Sequence, residues 1–490
     1  MSVARALGFA AISIVACARP TTPSAPVAAV TIEYALTVGD TLDSISIVAK
    51  FPDGAPAGLH VWEDSAAFLR DIDVRAAGAS DWQRVSVVED LVRADACAKG
   101  PCEARYRFAL LEAAARFRDV DVALSVEGLV ESPPSAWLLV PVSTPTGRAI
   151  RLEISTHHTL AFSTGLRQAS AAELHAFSFI AGDLPKTPFT VFGAMSLDLL
   201  TIGAAHVVVA RPPRSDATDE ERTHASERAW IKRSANVTAE YLGQFPIDAL
   251  ALVLPPGGLS GHPRDGAFGW TMGNGGAAIA IEAPKDESDA NLAADWVVVH
   301  EMMHLGFPSL GDEDRWLREG LATYTSELAR AQFGSFPIEK FWAEMLEMLP
   351  YSLPNATCDE NPYVPMYWRG ARFAFLADLE IRKRTKGEKS LRDALAAVVA
   401  AGGNVSVRWP AKRAFEIGDA ATGTTVLQES YATWSAGDVA TDLPALFARL
   451  GVGGDPKHVS FDDTAPDAAT RRALTEPRKG SLPSVLEEHL

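Results

Sequence analysis

His300-Glu-Met-Met-His304, followed fifteen residues later by Glu319 inside Trp316-Leu-Arg-Glu-Gly-Leu-Ala-Thr-Tyr324, is the stretch that decides the fold. On a helix, residues i and i+4 share one face a single turn apart. His300 and His304 can therefore offer two imidazole nitrogens to one metal ion, with Glu301 projecting beside it. The residues just before, Asp295-Trp-Val-Val-Val299, are β-branched and aromatic, which fits a helix buried against a core. The downstream run has an acidic first turn at Asp312-Glu-Asp314, apolar residues at helical spacing and a closing Gly334, so a second helix carries Glu319. Two helices joined by a short loop can pack antiparallel. That packing brings Glu319 to a third ligand position and leaves the fourth for water, the arrangement of a catalytic rather than a structural zinc. A chance fall of two histidines and a glutamate at this spacing does not explain the second helix.

These residues resemble the gluzincin metallopeptidases, in which H-E-x-x-H is completed by a glutamate in a W-x-x-E-G-x-x-x-Y helix. The likeness is nearest to the glycyl aminopeptidase family and then to the aminopeptidase N family. A further block resembles the family's Y-x-K-G helix and the run after it: Tyr367-Trp-Arg-Gly370, then Ala-Arg-Phe-Ala-Phe-Leu-Ala-Asp-Leu-Glu-Ile-Arg-Lys-Arg-Thr385-Lys-Gly-Glu-Lys-Ser390-Leu-Arg-Asp-Ala-Leu. Arg369 stands where the family has lysine. The resemblance spans residues 32–480, weakly at first and specifically over 295–395.

The resemblance implies one Zn2+ held by His300, His304 and Glu319, and a thermolysin-like catalytic domain. Zinc lowers the pKa of its bound water to about 7 and polarises a carbonyl, which makes a hydroxide nucleophile available near neutral pH. Glu301, beside that water and not a ligand, is the expected general base and later proton donor to the leaving amine. Tyr367 matches the family tyrosine that donates to the oxyanion, with Tyr363 as runner-up. The histidines need outer-shell acceptors, for which Asp295 and Thr323 are the candidates.

One departure bears on specificity. The aminopeptidase N family carries G-x-M-E-N on the strand before the zinc helix, and its glutamate holds the substrate's free amino terminus. The stretch read as corresponding here is Met272-Gly-Asn-Gly-Gly-Ala-Ala-Ile-Ala-Ile-Glu282, with no carboxylate where the glutamate is due. Gly273, Asn274, Gly275 and Gly276 are expected to bind substrate as a glycine-rich turn entering an edge strand, which can take an extended peptide by strand addition. Glu282 and the Asp312-Glu313-Asp314 loop are the candidates to supply the missing charge, the loop reading better as a solvated one.

The chain opens with an apolar run, Leu7-Gly-Phe-Ala-Ala-Ile-Ser-Ile-Val-Ala16, too short to span a bilayer and suited to a signal-peptide core. Ile14-Val-Ala-Cys17 resembles the bacterial lipobox, which implies lipidation at Cys17. Residues 1–16 are thus expected as a signal peptide and residues 17–31, rich in Pro, Ala and Thr, as a tether. The expected location is the periplasm or cell surface, with the membrane reached through lipid. Cys97-Ala-Lys-Gly-Pro-Cys102 places two cysteines around a turn, and export favours a local disulfide. Cys358 is left over.

Hydrophobic residues make up 47% of the 490, and mean hydropathy is +0.04, enough apolar material for large cores. Net charge of -17 excludes nucleic acid as a partner, since neutralising phosphates needs clustered Lys and Arg. Alternating segments such as Ser44-Ile-Ser-Ile-Val-Ala49 and Asp119-Val-Asp-Val-Ala-Leu-Ser-Val126 predict a β-sandwich over residues 32–180. Residues 181–480 read as the catalytic domain, with a mixed-sheet lobe and a mainly helical lobe, and residues 481–490 as a tail. Thr201 to Ala210 is a strand candidate, and His206 reads as a core histidine. His157 and His158 read as surface loop.

The fold class expected is multidomain α+β, and the function peptide-bond hydrolysis by an exported, lipid-anchored zinc metallopeptidase of aminopeptidase type. Two alternatives stand beside it: a surface binding or scaffold protein that keeps the fold without turnover, and a zinc hydrolase of a non-peptide substrate.

Overall fold

A computed structural model describes residues 31–478, apart from 63, 120, 127, 214–216, 255–267, 283–287, 359–360 and 438. The expected signal peptide, Cys17 and nearly all of the tether lie outside the described residues, as does the tail.

The amino-terminal part is built from strands whose side chains alternate strictly. Ile32–Val38 and Ile45–Phe51 each bury every second residue, beginning with the isoleucine, so one face makes core and the other meets solvent. They sit in a seven-stranded sheet ordered Ala176–Ile180, Ala149–Thr156, Ile32–Val38, Ile45–Phe51, Cys102–Phe108, Leu69–Ala76, Gln83–Arg84. Two four-stranded sheets accompany it, three sheets where a simple β-sandwich has two. Only Leu124–Val126 of the segment 119–126 is a strand, because Asp119 and Ala123 close a turn before it. This part runs on to Thr190–Gly193, beyond the expected boundary, since that strand pairs with Leu129–Ser132. Cys97 and Cys102 are disulfide-bonded.

A five-stranded mixed sheet follows, ordered Ser196–Ile202, Ala205–Arg211, Ala249–Val253, Ala278–Glu282, Phe268–Met272. The expected single strand over 201–210 is a hairpin, because Gly203 takes φ +59° and turns the chain. His206 is exposed on its second strand rather than buried in core. Leu252, Ile279 and Ile281 pack on Val297, Val298 and Met302 of the helix Val297–His304. The opposite face, Ala251, Val253, Ala278 and Ala280, packs on Leu129, Phe189 and Val191. The sheet is therefore clamped between the histidine-bearing helix and the amino-terminal part, which fixes the height of that helix over the strands.

After residue 288 the chain is mainly helical. Arg315–Gln332 carries Glu319 and is buried along most of its length. It packs against Val364–Arg384, which carries Tyr367. The two helices cross through glycines: a Cβ on Gly320 would lie 2.1 Å from Gly370 Cα, and one on Gly370 would lie 1.9 Å from the Trp316 carbonyl oxygen. Tyr324 locks the same pair, its hydroxyl donating to Asp378 Oδ2 at 2.9 Å. Arg382 and the Leu391 N–H both donate to Oδ1 of that carboxylate at 3.0 Å, so Arg382 is buried and paired. No helix among the described residues is long and apolar enough to cross a membrane.

Candidate functional site

The first turn of the histidine helix is set by Asp295, whose Oδ1 accepts the Val297 N–H at 2.8 Å. Val297, Val298 and Met302 anchor one face on the sheet. His300, Glu301 and His304 are buried too, although they carry polar atoms, and burial of that kind requires partners. The partner is Glu319. Its Oε2 lies 3.2 Å from His304 Nε2 and 3.7 Å from His300 Nε2. The three donor atoms lie within 4.8 Å of one another, the one such cluster of His, Cys, Asp or Glu among the described residues.

Two imidazole nitrogens and one carboxylate oxygen converging at this separation form the donor set of a three-protein-ligand zinc site, and these residues fit the ion on that ground. Both imidazole Nδ1 atoms are buried without a hydrogen-bond partner among the described residues. Neither expected outer-shell acceptor reaches them: Asp295 caps the helix, and Thr323 Oγ1 donates to the Glu319 carbonyl at 2.8 Å. Burial works to raise the Glu319 carboxyl, but His304, His300 and Arg318 outweigh it and hold the group well below the usual carboxylate range. Arg318 does so at close quarters, with Nε 3.2 Å and Nη2 3.0 Å from Oε1.

Glu301 faces the edge strand Phe268–Met272. Thr271 Oγ1 donates to Glu301 Oε2 at 2.7 Å and also to its carbonyl at 3.0 Å. Gly269, two residues away and on the same strand face, leaves room for the glutamate, since a Cβ there would stand 2.7 Å from Glu301 Cγ. Burial pushes the Glu301 carboxyl up to about 7, against the pull of His300 and the Thr271 hydrogen bond. Tyr367 stacks on His300, the centroids 6.1 Å apart and the planes at 18°. Burial, with Glu319 and Glu301 nearby, holds its hydroxyl far above the ordinary phenol range, so it keeps its proton. Trp296 meets His300 edge-on at 5.2 Å. Tyr363 is exposed under the Arg315 guanidinium at 5.3 Å. Arg369 lies 4.4 Å over the Trp316 ring and donates to the Trp434 carbonyl at 2.6 Å, a structural place.

The expected substrate-binding turn is corrected. Gly273, Asn274, Gly275 and Gly276 are all buried. The Asn274 and Gly275 N–H groups donate to the carbonyls of Val405 and Ser406, and the Gly275 carbonyl accepts from Arg167. Cβ atoms on Gly273 and Gly276 would strike Val405 O at 2.1 Å and Gly165 O at 1.9 Å. The glycines serve close chain crossing, and these backbone groups are already paired. Ala278–Glu282 is an interior strand, and the edge is Phe268–Met272, which among the described residues pairs with one neighbour only.

With this geometry in hand, comparison with known proteins is informative about the fold. No protein-family model matches the chain, and no curated protein does. Solved structures do: an aminopeptidase N family protein from Idiomarina loihiensis superposes with TM-score 0.58 at 14% identity, covering 86% of this chain and 78% of that one. The chain has the fold of that aminopeptidase N family protein. An M1 zinc metallopeptidase from Deinococcus radiodurans matches with TM-score 0.48 at 14% identity, over 85% of this chain and 95% of that one.

Within that fold the sequence reading passes over three side chains. Thr271 carries no motif signal. Arg318 stands inside the W-x-x-E-G run, where only the glutamate draws notice. Glu131, on Leu129–Ser132, is buried and accepts the Trp270 Nε1–H at 3.4 Å, linking the amino-terminal part to the edge strand. Burial pushes its carboxyl up to about 8, opposed by the Trp270 bond and assisted by Asp121. Of the candidate acids, Asp312 pairs with Lys186, Asp314 accepts from Tyr431 at 2.8 Å, and Glu282 lies opposite Phe268 in the strand register.

Proposed function

We propose that this chain is a zinc metallopeptidase of aminopeptidase type with a thermolysin-like catalytic domain, related to the gluzincins and among them to the glycyl aminopeptidases. The observation that carries the reading is the convergence of His300 Nε2, His304 Nε2 and Glu319 Oε2 beside Glu301, at the open edge of Phe268–Met272. Zinc bound there supplies Lewis acidity to a substrate carbonyl and lowers the pKa of water. The side of 269–272 turned away from Ala278–Glu282 is where an extended peptide would add as a further strand. Glu301, oriented by Thr271 through Oε2, takes a proton from water and returns it to the departing amine nitrogen. Tyr367, protonated and stacked on His300, donates to the oxygen that gains charge as the carbonyl carbon is attacked.

Glu131 is the group proposed to receive the substrate's amino terminus. It is a buried carboxyl whose hydrogen bond among the described residues comes from a neutral indole and which burial keeps protonated up to about pH 8, so an incoming ammonium ion is the group that would ionise it and pair with it. Export and lipid attachment at Cys17 are part of the proposal, and the Cys97–Cys102 disulfide supports an oxidising compartment.

The test is cleavage of a peptide library, half with free and half with acetylated amino termini, by the zinc-loaded protein beside Glu301→Gln. Selective cleavage of free termini, lost in Glu301→Gln, is expected. Cleavage of both halves alike would make the enzyme an endopeptidase, and turnover by metal-checked Glu301→Gln would overturn the mechanism.

A further inference from the structure

Arg318 and Glu319 are neighbours in sequence, yet their side chains form a directed pair. Two N–H groups of the guanidinium, Nε and Nη2, point at the same oxygen, Glu319 Oε1, at 3.2 and 3.0 Å. The other oxygen, Oε2, faces both imidazole Nε2 atoms. The carboxylate is thus divided by function: one oxygen is occupied by two hydrogen bonds, and the other is aimed at the metal position. Arg318 is one-third exposed in its side chain while Glu319 is buried, so the guanidinium enters from the solvent side and closes the carboxylate's second coordination direction.

We propose that Arg318 is a positioning residue that confines Glu319 to one-oxygen coordination, resting on the reading of this site as a zinc centre. A carboxylate can bind a cation through one oxygen or two. With Oε1 accepting two N–H bonds, turning it toward the ion would break both. The ion then has three protein ligands, and its fourth direction stays open for water or substrate. Without the guanidinium, Oε1 is released to compete for that direction. Groups that orient a ligand in this way typically account for about 10-fold to 100-fold in metal affinity or activity. Lysine can return the charge but not the paired donation from a planar fork.

The test uses the full exported protein as wild type, Arg318→Ala and Arg318→Lys, each loaded with zinc or with cobalt(II). Zinc affinity is read by chelator competition, coordination from the visible cobalt spectrum, and folding from the far-UV spectrum of each variant. In Arg318→Ala, the intense cobalt bands of a four-coordinate site are expected to weaken toward those of five coordination as Oε1 joins the ion, with zinc affinity held or raised. Arg318→Lys should return the affinity toward wild type while recovering only part of the spectrum. Wild-type affinity and spectrum in folded Arg318→Ala would overturn the inference while leaving the zinc reading intact. Tighter zinc binding with a wild-type cobalt spectrum would overturn it too, because the ion would then be sensing the guanidinium's charge and not its hold on Oε1. A wild-type chain that takes up no zinc overturns the zinc reading and this inference together.

Discussion

Gly320 and Gly370 meet where the glutamate helix crosses the tyrosine helix, with room for a Cβ on neither. One glycine follows Glu319, proposed as a metal ligand, and the other lies one turn after Tyr367, so the closeness of this crossing sets how near the tyrosine comes to the His300–His304–Glu319 cluster. A methyl group at Gly370 must push against the Trp316 carbonyl, which is backbone and cannot swing aside. Gly370→Ala is expected to cost about 1–3 kcal/mol in denaturant unfolding. In the folded fraction it should lower kcat more than it raises KM, since the displaced hydroxyl acts on charge that develops in the transition state. Unchanged stability would show that the helices slide apart freely.

Two tyrosines at the same crossing separate stability from turnover. Tyr324 is buried against Asp378 and touches no reacting atom. Tyr324→Phe leaves that buried carboxylate one donor short and should destabilise by about 1–3 kcal/mol with kcat nearly unchanged. Tyr367→Phe should do the reverse, lowering kcat by about 10²–10³ with little effect on KM or on the melting temperature. Equal kcat in the two variants would remove Tyr367 from the chemistry.

How far the sequence reveals this site depends on how local each relationship is. The spacing of His300, Glu301 and His304 is fixed by one helical turn, and Glu319 follows from a second helix with clear start and stop signals. The strand that faces Glu301 is harder to see. Phe268–Met272 is five residues long and contains a glycine and a tryptophan without strict alternation. The glycine-rich turn beside it draws attention because glycine marks close backbone approach. That approach is to Gly165 and Val405, distant in sequence, rather than to a substrate. Glu131 lies 139 residues from Trp270 along the chain, and no periodicity links the two. The three-sheet arrangement of the amino-terminal part is hidden for the same reason, since its added strands are short and paired only in the folded state.

Metal removal and base removal are expected to behave differently. Glu319→Ala loses one of three donors and should not retain zinc through dialysis, whereas Glu301→Gln should retain it and lose about 10²–10⁴ in kcat. Metal content by elemental analysis and turnover by peptide cleavage separate the two. A Glu301→Gln protein that loses its zinc would mean that Glu301 is itself needed to hold the ion.

Glu131 makes a prediction about pH that is independent of any metal. Its carboxyl is held at about 8 in the folded chain, above the ordinary value of 4.5, chiefly by burial. The folded protein therefore keeps a proton that the unfolded chain releases between those two values. The stability tied to this group is complete below pH 4.5 and is lost as pH rises through 8. Glutamine carries no charge at either end of that window. Glu131→Gln should match wild type at pH 4 and exceed it by up to about 3 kcal/mol at pH 7, read from urea unfolding at both. The same variant should raise KM for peptides with free amino termini while leaving acetylated peptides unaffected, because only the former bring an ammonium ion that can ionise Glu131 and pair with it. A stability gain without the change in KM would leave Glu131 as a buried acid outside the substrate path, and Glu282 would then be the next carboxylate to replace.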